Sequence, residues 1–309
     1  MKTAMITGAS GFLGNHLLHE LLNQGVYVHV ISRPSSKRLS RLNGLKNTNI
    51  IELDMDDILR LEELMPLQCD VFYHLAWQGG RNDFTTQIPN IKRTMDALEI
   101  AYALGCKRFV CTGSQAEYGI HHGLITENTT TNPNTAYGAA KLATCNLSRV
   151  RAEQLGIEWI WARVFSVYGP GDNPNSLIPY LLHTLINGQI PSLTQGNHKW
   201  DYLYVTDAAK ALSVLGNTPH TNQIYNVARG ESFPLRWYVE RLRDIVAPGS
   251  PLGFGLAEGL VVPLEASVEK LKEKTGWQVQ VGFDSGVMNT FDYYNNSTFA
   301  ETKQLNYDN

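Results

Sequence analysis

A doubly wound, parallel α/β sheet is the fold this sequence predicts, and three observations carry that expectation. The first is a glycine-rich turn, Thr7-Gly8-Ala9-Ser10-Gly11-Phe12-Leu13-Gly14, set between the apolar run Ala4-Met5-Ile6 and the leucine-rich Asn15–Leu22. The second is a rhythm of short apolar runs alternating with helical patterns over roughly the first half of the chain, without internal repeats. The third is bulk: 309 residues with 43% hydrophobic side chains bury a sizeable core.

Strand, glycine turn and helix in that order make an anion cradle. Gly8 allows the tight turn, Gly11 lets backbone approach a pyrophosphate, and Gly14 lets the helix pack close to the sheet. Unpaired N–H groups at the helix start then face the phosphates. Val26–Ile31 reads as the second strand and ends at Ser32-Arg33, before the basic loop that holds Lys37 and Arg38. An acidic side chain at this strand end would bond a ribose 2′-hydroxyl. A small polar residue followed by Arg accepts a 2′-phosphate instead, so NADP(H) is expected, with NAD(H) as the alternative. Asn49–Asp54 is the third strand, and Asp54-Met55 stands where a carboxylate and an apolar side chain could hold an adenine.

Val71–Ala76 is the fourth strand and opens into the loop Trp77-Gln78-Gly79-Gly80-Arg81. Ile88–Leu104 reads as an amphipathic helix, and Arg108–Thr112 as a strand delivering Gly113-Ser114-Gln115 to the same sheet edge. A helix is expected over Ala136–Leu155, and a sixth strand over Glu158–Phe165. Turn residues become dense from Tyr168-Gly169-Pro170-Gly171 onward. The expected division is therefore a doubly wound dinucleotide-binding domain over 1–165, rejoined by 200–228, and a smaller α/β part within 166–309. Trp200–Val205 and Ile224–Val227 are expected to return to the sheet, with Asp207 capping a helix between them. Further helices are expected at Leu235–Val246 and Ser267–Lys274, and an exposed tail after Tyr293.

A net charge of −3 gives no electrostatic footprint for nucleic acid or an anionic membrane, and the apolar runs are too short to span one. The four cysteines are scattered, with no C-x-x-C spacing, and the start of the chain has no signal-peptide pattern. A reduced, cytoplasmic protein is expected. The nine histidines form no metal-ligand spacing.

Tyr137 and Lys141 are four residues apart and share one face of their helix. A free phenol, with pKa ~10, is a poor proton shuttle at neutral pH. A nearby ammonium is expected to lower it, so that Tyr137 exchanges a proton with a carbinol oxygen while hydride moves at the same carbon. Ser114 would hold that oxygen, and Lys141 would also bond the nicotinamide ribose.

The chain resembles the extended short-chain dehydrogenase/reductases that act on nucleotide sugars as epimerases, dehydratases or reductases. The matching marks run almost end to end: the Thr7–Gly14 turn, Asp54-Met55, His74-Leu75-Ala76, Ser114 with Glu117-Tyr118-Gly119, and Tyr137 with Lys141. Arg163 with Tyr168-Gly169-Pro170-Gly171, Asp201–Val205 with Asp207, and Gly276-Trp277 continue them. The resemblance implies a Rossmann domain, a C-terminal grip on a nucleotide diphosphate sugar, and a homodimer built on the two long helices. It implies catalysis by Ser114, Tyr137 and Lys141. It implies cofactor binding by Gly8, Ser10, Gly11, Phe12, Leu13, Gly14, Ser32, Arg33, Asp54, Met55, Leu75, Ala76, Thr112, Tyr137, Lys141 and Phe165. Substrate binding is expected from Trp77, Gln115, Tyr137, Asn175 and Trp200.

The subgroup follows from departures. Where the 4,6-dehydratases of this family carry an Asp-Glu pair for elimination, this chain has Gln115 and Ala116, neither of which is a general acid or base. The segment Gly113–Gly119 is similar to the branch that reduces 4-keto-6-deoxy nucleotide sugars. Trp200 stands where many members have a diphosphate-contacting Arg, with Lys199, Arg229 or Arg236 as substitutes, and Ser166 stands where many have Asn. The expected activity is NADP-dependent reduction of a C4 ketone. A 4-epimerase that retains its NAD(P) is the alternative, and a cofactor-sensing protein without turnover is the rival of another class.

Overall fold

Seven parallel strands form the central sheet of the computed structural model, which describes residues 1–34, 36, 38–42, 44–64, 69–259 and 262–296. Lys37 and the chain after Asn296 lie outside the described residues. The first strands are β1 (Thr3–Thr7), β2 (Tyr27–Ser32), β3 (Thr48–Glu52), β4 (Val71–His74) and β5 (Arg108–Ser114). After the short β6 (Leu124–Ile125) come β7 (Glu158–Val164) and β8 (Ser166–Tyr168). Next are β9 (Ser192–Leu193), β10 (Lys199–Trp200), β11 (Tyr202–Tyr204) and β12 (Gln223–Val227), followed by β13 (Phe233–Pro234), β14 (Gly253–Phe254) and β15 (Glu265–Ala266). The large sheet runs β3-β2-β1-β4-β5-β7-β12. Its progression reverses between β1 and β4, and such a switch point opens a crevice at the carboxyl ends of the strands.

The helices are α1 (Phe12–Asn23), α2 (Leu61–Leu64), α3 (Phe84–Ala103), α4 (Ala136–Leu155), α5 (Leu177–Ile186), α6 (Val205–Asn217), α7 (Leu235–Val246), α8 (Glu269–Thr275) and α9 (Phe283–Asn296). Helices α1 and α6 pack together and bury Leu17, Leu21, Leu212 and Leu215 in one core, while α3 and α4 pack together over a second core that holds Phe72, Leu98, Phe109 and Trp159. Both faces of the sheet are thus covered, as a parallel sheet requires. A third core of Tyr168, Leu181, Tyr202, Tyr238 and Phe283 lies within the C-terminal part, where Leu13, Val167 and Trp200 touch it as well as the first core.

Several expected elements differ. The helix read from Ile88 begins one turn earlier, because Asp83 caps it by accepting the Thr86 N–H at 3.3 Å, and Pro89 falls inside the helix. Tyr202–Tyr204 does not return to the large sheet. Phe165 makes a last bond to Val227 (2.9 Å), and the chain then leaves the sheet plane, so β8 takes β11 as its own parallel partner. β12 does pair with β7 as the sheet's edge strand. Asp207 is not a cap: it lies in the first turn of α6, and its carboxylate accepts the N–H groups of Gln280 (3.1 Å) and Val281 (2.9 Å). The four cysteines are buried free thiols. No helix among the described residues is long and apolar enough to cross a membrane.

Candidate active site

The Gly8–Gly14 turn is packed so tightly that its spacing is a steric necessity. Gly8 has φ +78°, and a Cβ there would lie 2.8 Å from the Ala76 backbone nitrogen. A Cβ on Gly14 would lie 2.2 Å from the Gly8 carbonyl oxygen. Gly11 is the N-cap of α1, with no side-chain hydrogen bond to the first turn, so that turn presents backbone N–H groups to the crevice.

A cavity of about 280 Å³ opens above this turn. Gly8, Ser10 and Gly11 form one wall, Ser32, Arg33, Ser36 and Arg38 another, and Leu53, Met55, Leu75, Ala76 and Trp77 the apolar remainder. Ser32 Oγ is buried without a hydrogen-bond partner. A cradle with no room for side chains, an apolar slot and an orphaned hydroxyl beside an arginine fit a dinucleotide. Asp54 itself does not line the cavity. Its carboxylate caps a short 3₁₀ turn by accepting the Asp56 N–H at 3.1 Å, leaving Leu53 and Met55 to face the space. Phe12 and Leu13 are half-buried on α1, and Phe165 is buried in the first core, away from the cavity walls.

The floor between β1 and β4 is polar and satisfied. His74 sits between Thr7 Oγ1 (2.9 Å) and Thr94 Oγ1 (3.0 Å), and burial pushes it down to about 3, so it is neutral at physiological pH. Beyond Trp77 lies the corner that holds Ser114, Tyr137 and Lys141. Lys141 Nζ donates to the Thr112 carbonyl at 2.7 Å and lies 3.7 Å from the centroid of the Trp77 ring. The indole meets Tyr137 edge-on at 6.0 Å, and its N–H is fixed by Gln87 Oε1 at 2.8 Å. Trp77 therefore joins the cavity to the corner.

Ser114, the last residue of β5, caps the 3₁₀ turn Gln115–Glu117: its Oγ accepts the Ala116 N–H at 3.2 Å. An oxygen that accepts there has its own proton free to donate elsewhere. Tyr137 opens α4, where Thr135 caps the helix by accepting the Gly138 N–H at 3.1 Å. Gly138 is required, since a Cβ would meet the Ala116 carbonyl at 2.4 Å.

The electrostatics reverse one expectation. Burial raises the Tyr137 phenol above its ordinary 10.0, although a hydrogen bond with Ser114 pulls the other way. The Lys141 ammonium stands 5.9 Å from the centroid of the phenol ring, and burial pushes Lys141 itself down to about 8. Desolvation is the largest cause for both groups.

The expected substrate residues are dispersed. Gln115 is half-buried beside Ser114, and Asn175 is exposed just before α5. Trp200 is half-buried where two cores meet, and its indole N–H donates to Ser166 Oγ at 3.0 Å. The two departures at 166 and 200 are thus a single contact. The substitutes for the missing arginine are engaged elsewhere: Lys199 with Glu265 (2.6 Å), Arg229 with Glu231 (3.2 Å), and Arg236 over the Phe254 ring (3.7 Å). Sequence reasoning missed Gln87 and Ser36, polar residues whose only signal is position, and gave no role to the carboxylate of Glu117.

The family model described as NAD dependent epimerase/dehydratase family matches residues 4–228, and the chain belongs to that family. An uncharacterised UDP-glucose epimerase of Bacillus subtilis is 24% identical over 307 residues, covering 94% of this chain and 96% of the relative. CDP-abequose synthase of Salmonella muenchen is 26% identical over 298 residues, covering 93% and 96%. Among solved structures, UDP-N-acetylglucosamine 4-epimerase of Methanobrevibacter ruminantium superposes with a TM-score of 0.88 at 23% identity, over 96% of this chain and 99% of that one. The dTDP-glucose 4,6-dehydratase of Bacillus anthracis, solved in complex with NAD, superposes with a TM-score of 0.87 at 20% identity, over 99% and 100%. The protein is an NAD-dependent enzyme family member with the fold of the nucleotide-sugar epimerases and dehydratases.

Proposed function

We propose that this chain is a cytoplasmic, NADP-dependent reductase of the C4 ketone of a nucleotide-activated 6-deoxysugar. The observation that carries the reading is the corner where Ser114, whose Oγ accepts the Ala116 N–H and keeps its own proton to donate, stands near Tyr137 with no carboxylate at positions 115 and 116. A reductase needs an acid at the ketone oxygen, whereas an epimerase must begin with a base. Gln115 and Ala116 supply no acid–base pair for elimination, which speaks against a dehydratase.

The Gly8–Gly14 turn would hold the pyrophosphate of the dinucleotide, and the wall of Ser32, Arg33, Ser36 and Arg38 its adenosine end; the bound cofactor would supply the hydride. Ser114 Oγ donates a hydrogen bond to the ketone oxygen and shares its developing charge. Tyr137 gives that oxygen a proton as C4 becomes tetrahedral. Lys141 holds the ribose and compensates the phenolate that Tyr137 becomes. Arg33, with Ser32 beside it on the cavity wall, supports a 2′-phosphate, hence NADP(H) over NAD(H). The sugar would sit between Trp77, Gln115 and the C-terminal part, the substrate-binding portion of 166–309, with Asn175 and Trp200 toward the nucleotide. Exposed Phe84, Ile88, Leu147 and Val150 on α3 and α4 support a homodimer through those helices.

The second reading is a 4-epimerase, favoured by relatives that are UDP-glucose 4-epimerases. A stoichiometric assay separates the two. With a panel of nucleoside diphosphate 4-keto-6-deoxyhexoses, a reductase consumes NADPH mole for mole with product. Turnover of a 4-hydroxy nucleotide sugar with no added cofactor identifies the epimerase and overturns the reductase reading.

A further inference from the structure

Behind Ser114 lies a buried charge that touches none of the cavity. Glu117 is 0% exposed and Arg163 3% exposed, and they pair at 2.7 Å between Oε2 and Nε. The other carboxylate oxygen accepts two hydrogen bonds, from the Ser114 backbone N–H (2.8 Å) and the Trp161 indole N–H (2.9 Å). Trp161 and Arg163 are two apart on β7 and so share one face of that strand. The guanidinium lies 4.5 Å from the centroid of the Tyr118 ring, and Tyr118 donates through its hydroxyl to Asn226 Oδ1 on β12 at 2.7 Å. Gly113 has no room for a side chain: a Cβ would meet Trp161 Nε1 at 2.0 Å and Glu117 Oε1 at 2.4 Å. Two neighbouring strands, β5 and β7, thus converge on one carboxylate directly beneath the catalytic serine.

A bare structural ion pair would be an expensive way to fill this space, because a buried pair often adds little over apolar residues of the same volume. Here the carboxylate completes a reciprocal cap. Glu117 takes the Ser114 N–H while Ser114 Oγ takes the Ala116 N–H, so the serine is pinned through both backbone and side chain. The first bond sets where Oγ stands; the second leaves its proton to point outward.

We propose that Glu117, held in place by Arg163 and Trp161, is a positioning residue that fixes Ser114 as the hydrogen-bond donor to the oxygen protonated by Tyr137. The inference rests on the roles read above for Ser114 and Tyr137, which reduction and epimerisation share. Glu117 touches neither cavity nor substrate and acts through Ser114 alone.

The test is a double-mutant cycle on kcat, with KM and NADPH binding measured beside it. Glu117→Asp keeps a charge opposite Arg163 but withdraws the oxygen from Ser114. E117M/R163M removes the clamp and the charges together, so that no buried guanidinium is stranded. In each, kcat falls about ten- to hundredfold, because small displacements of a positioned group are costly, while KM and NADPH affinity stay within about threefold. In a Ser114→Ala background the same changes cost less than about twofold, since the residue they act through is gone. E117Q/R163M returns an oxygen acceptor to Ser114 and recovers most of the rate. The proposal is overturned if both variants keep wild-type kcat, or if their losses multiply undiminished in the Ser114→Ala background. Should the stoichiometric assay report an epimerase, the identical cycle is run on epimerisation, and its outcome decides the role of Glu117 independently.

Discussion

The cofactor turn and the reaction corner are built in opposite ways. The turn is made of backbone within eight consecutive residues, and its glycines are fixed by carbonyl oxygens and nitrogens 2–3 Å from where a side chain would begin. The corner is made of side chains brought from β5 and α4, fixed by a tryptophan from the loop after β4 on one side and a buried carboxylate on the other. The lesson is that binding here is a property of local chain geometry, whereas chemistry is a property of tertiary packing. A substitution in the turn should therefore damage structure and binding together, and one in the corner should damage rate alone.

The largest effect tests the second half of that contrast. Tyr137→Phe removes the proton donor and little else, so kcat should fall about a thousandfold while the chain melts within a few degrees of wild type. A rate within tenfold of wild type would remove Tyr137 from the chemistry and leave the fold untouched. Gly14→Ala tests the first half. Its Cβ would lie 2.2 Å from the Gly8 oxygen, within a turn that has no flexible side chain to yield. Stability should fall by about 1–3 kcal/mol, with a loss of NADPH binding measured by fluorescence titration. Intact binding in a destabilised chain would separate the two properties that the turn is argued to unite.

Lys141 gives a third expectation, in which stability and function move in opposite directions. Its folded-state value, about 8, lies below the ordinary 10.5, so burial penalises the charged form. Between those values the unfolded chain binds more protons than the folded one, and stability should rise with pH from about 8 to 10.5. Lys141→Met should lose that rise and gain about 1–3 kcal/mol at pH 7, less whatever the orphaned Thr112 carbonyl costs, while activity collapses. Denaturant melts of both proteins at pH 7 and 10 give the comparison directly. Wild-type kcat/KM should likewise decline above about pH 8 as the ammonium that steadies the phenolate is lost.

What the sequence disclosed follows the same division. The Gly8–Gly14 spacing, the i, i+4 pair of Tyr137 and Lys141, and the strand–helix alternation are all periodic or local, and they led to the observed sheet and helices. The first turn of α3 lies before Ile88 because Asp83 caps it, a contact that the apolar spacing does not carry. Asp207 was read as a cap because its true partners, Gln280 and Val281, lie more than seventy residues away. The direction of the Tyr137 shift was equally hidden. Charge proximity is visible in spacing, but burial is not, and burial decided the sign. Trp200 and Ser166 were two separate oddities until their hydrogen bond made them one.

The smallest expected effect concerns the one place where the turn's logic gives way to a side chain. At the end of β2 the cavity wall is carried by Ser32, Arg33, Ser36 and Arg38, so the proposed NADP preference, unlike the cradle, rests on side-chain charge. Arg33 is exposed, and Arg33→Ala leaves no buried group unpaired, which keeps the fold out of the measurement. The ratio of NADPH to NADH affinity should then fall about tenfold, the worth of one charge-assisted hydrogen bond to a phosphate. Because NADH lacks that phosphate, its own affinity should hardly move, so the change appears in one titration and not the other. A ratio unchanged by the substitution would mean that the wall does not read the 2′ position. Local backbone geometry would then account for the whole of cofactor recognition, and the contrast between turn and corner would be sharper than drawn.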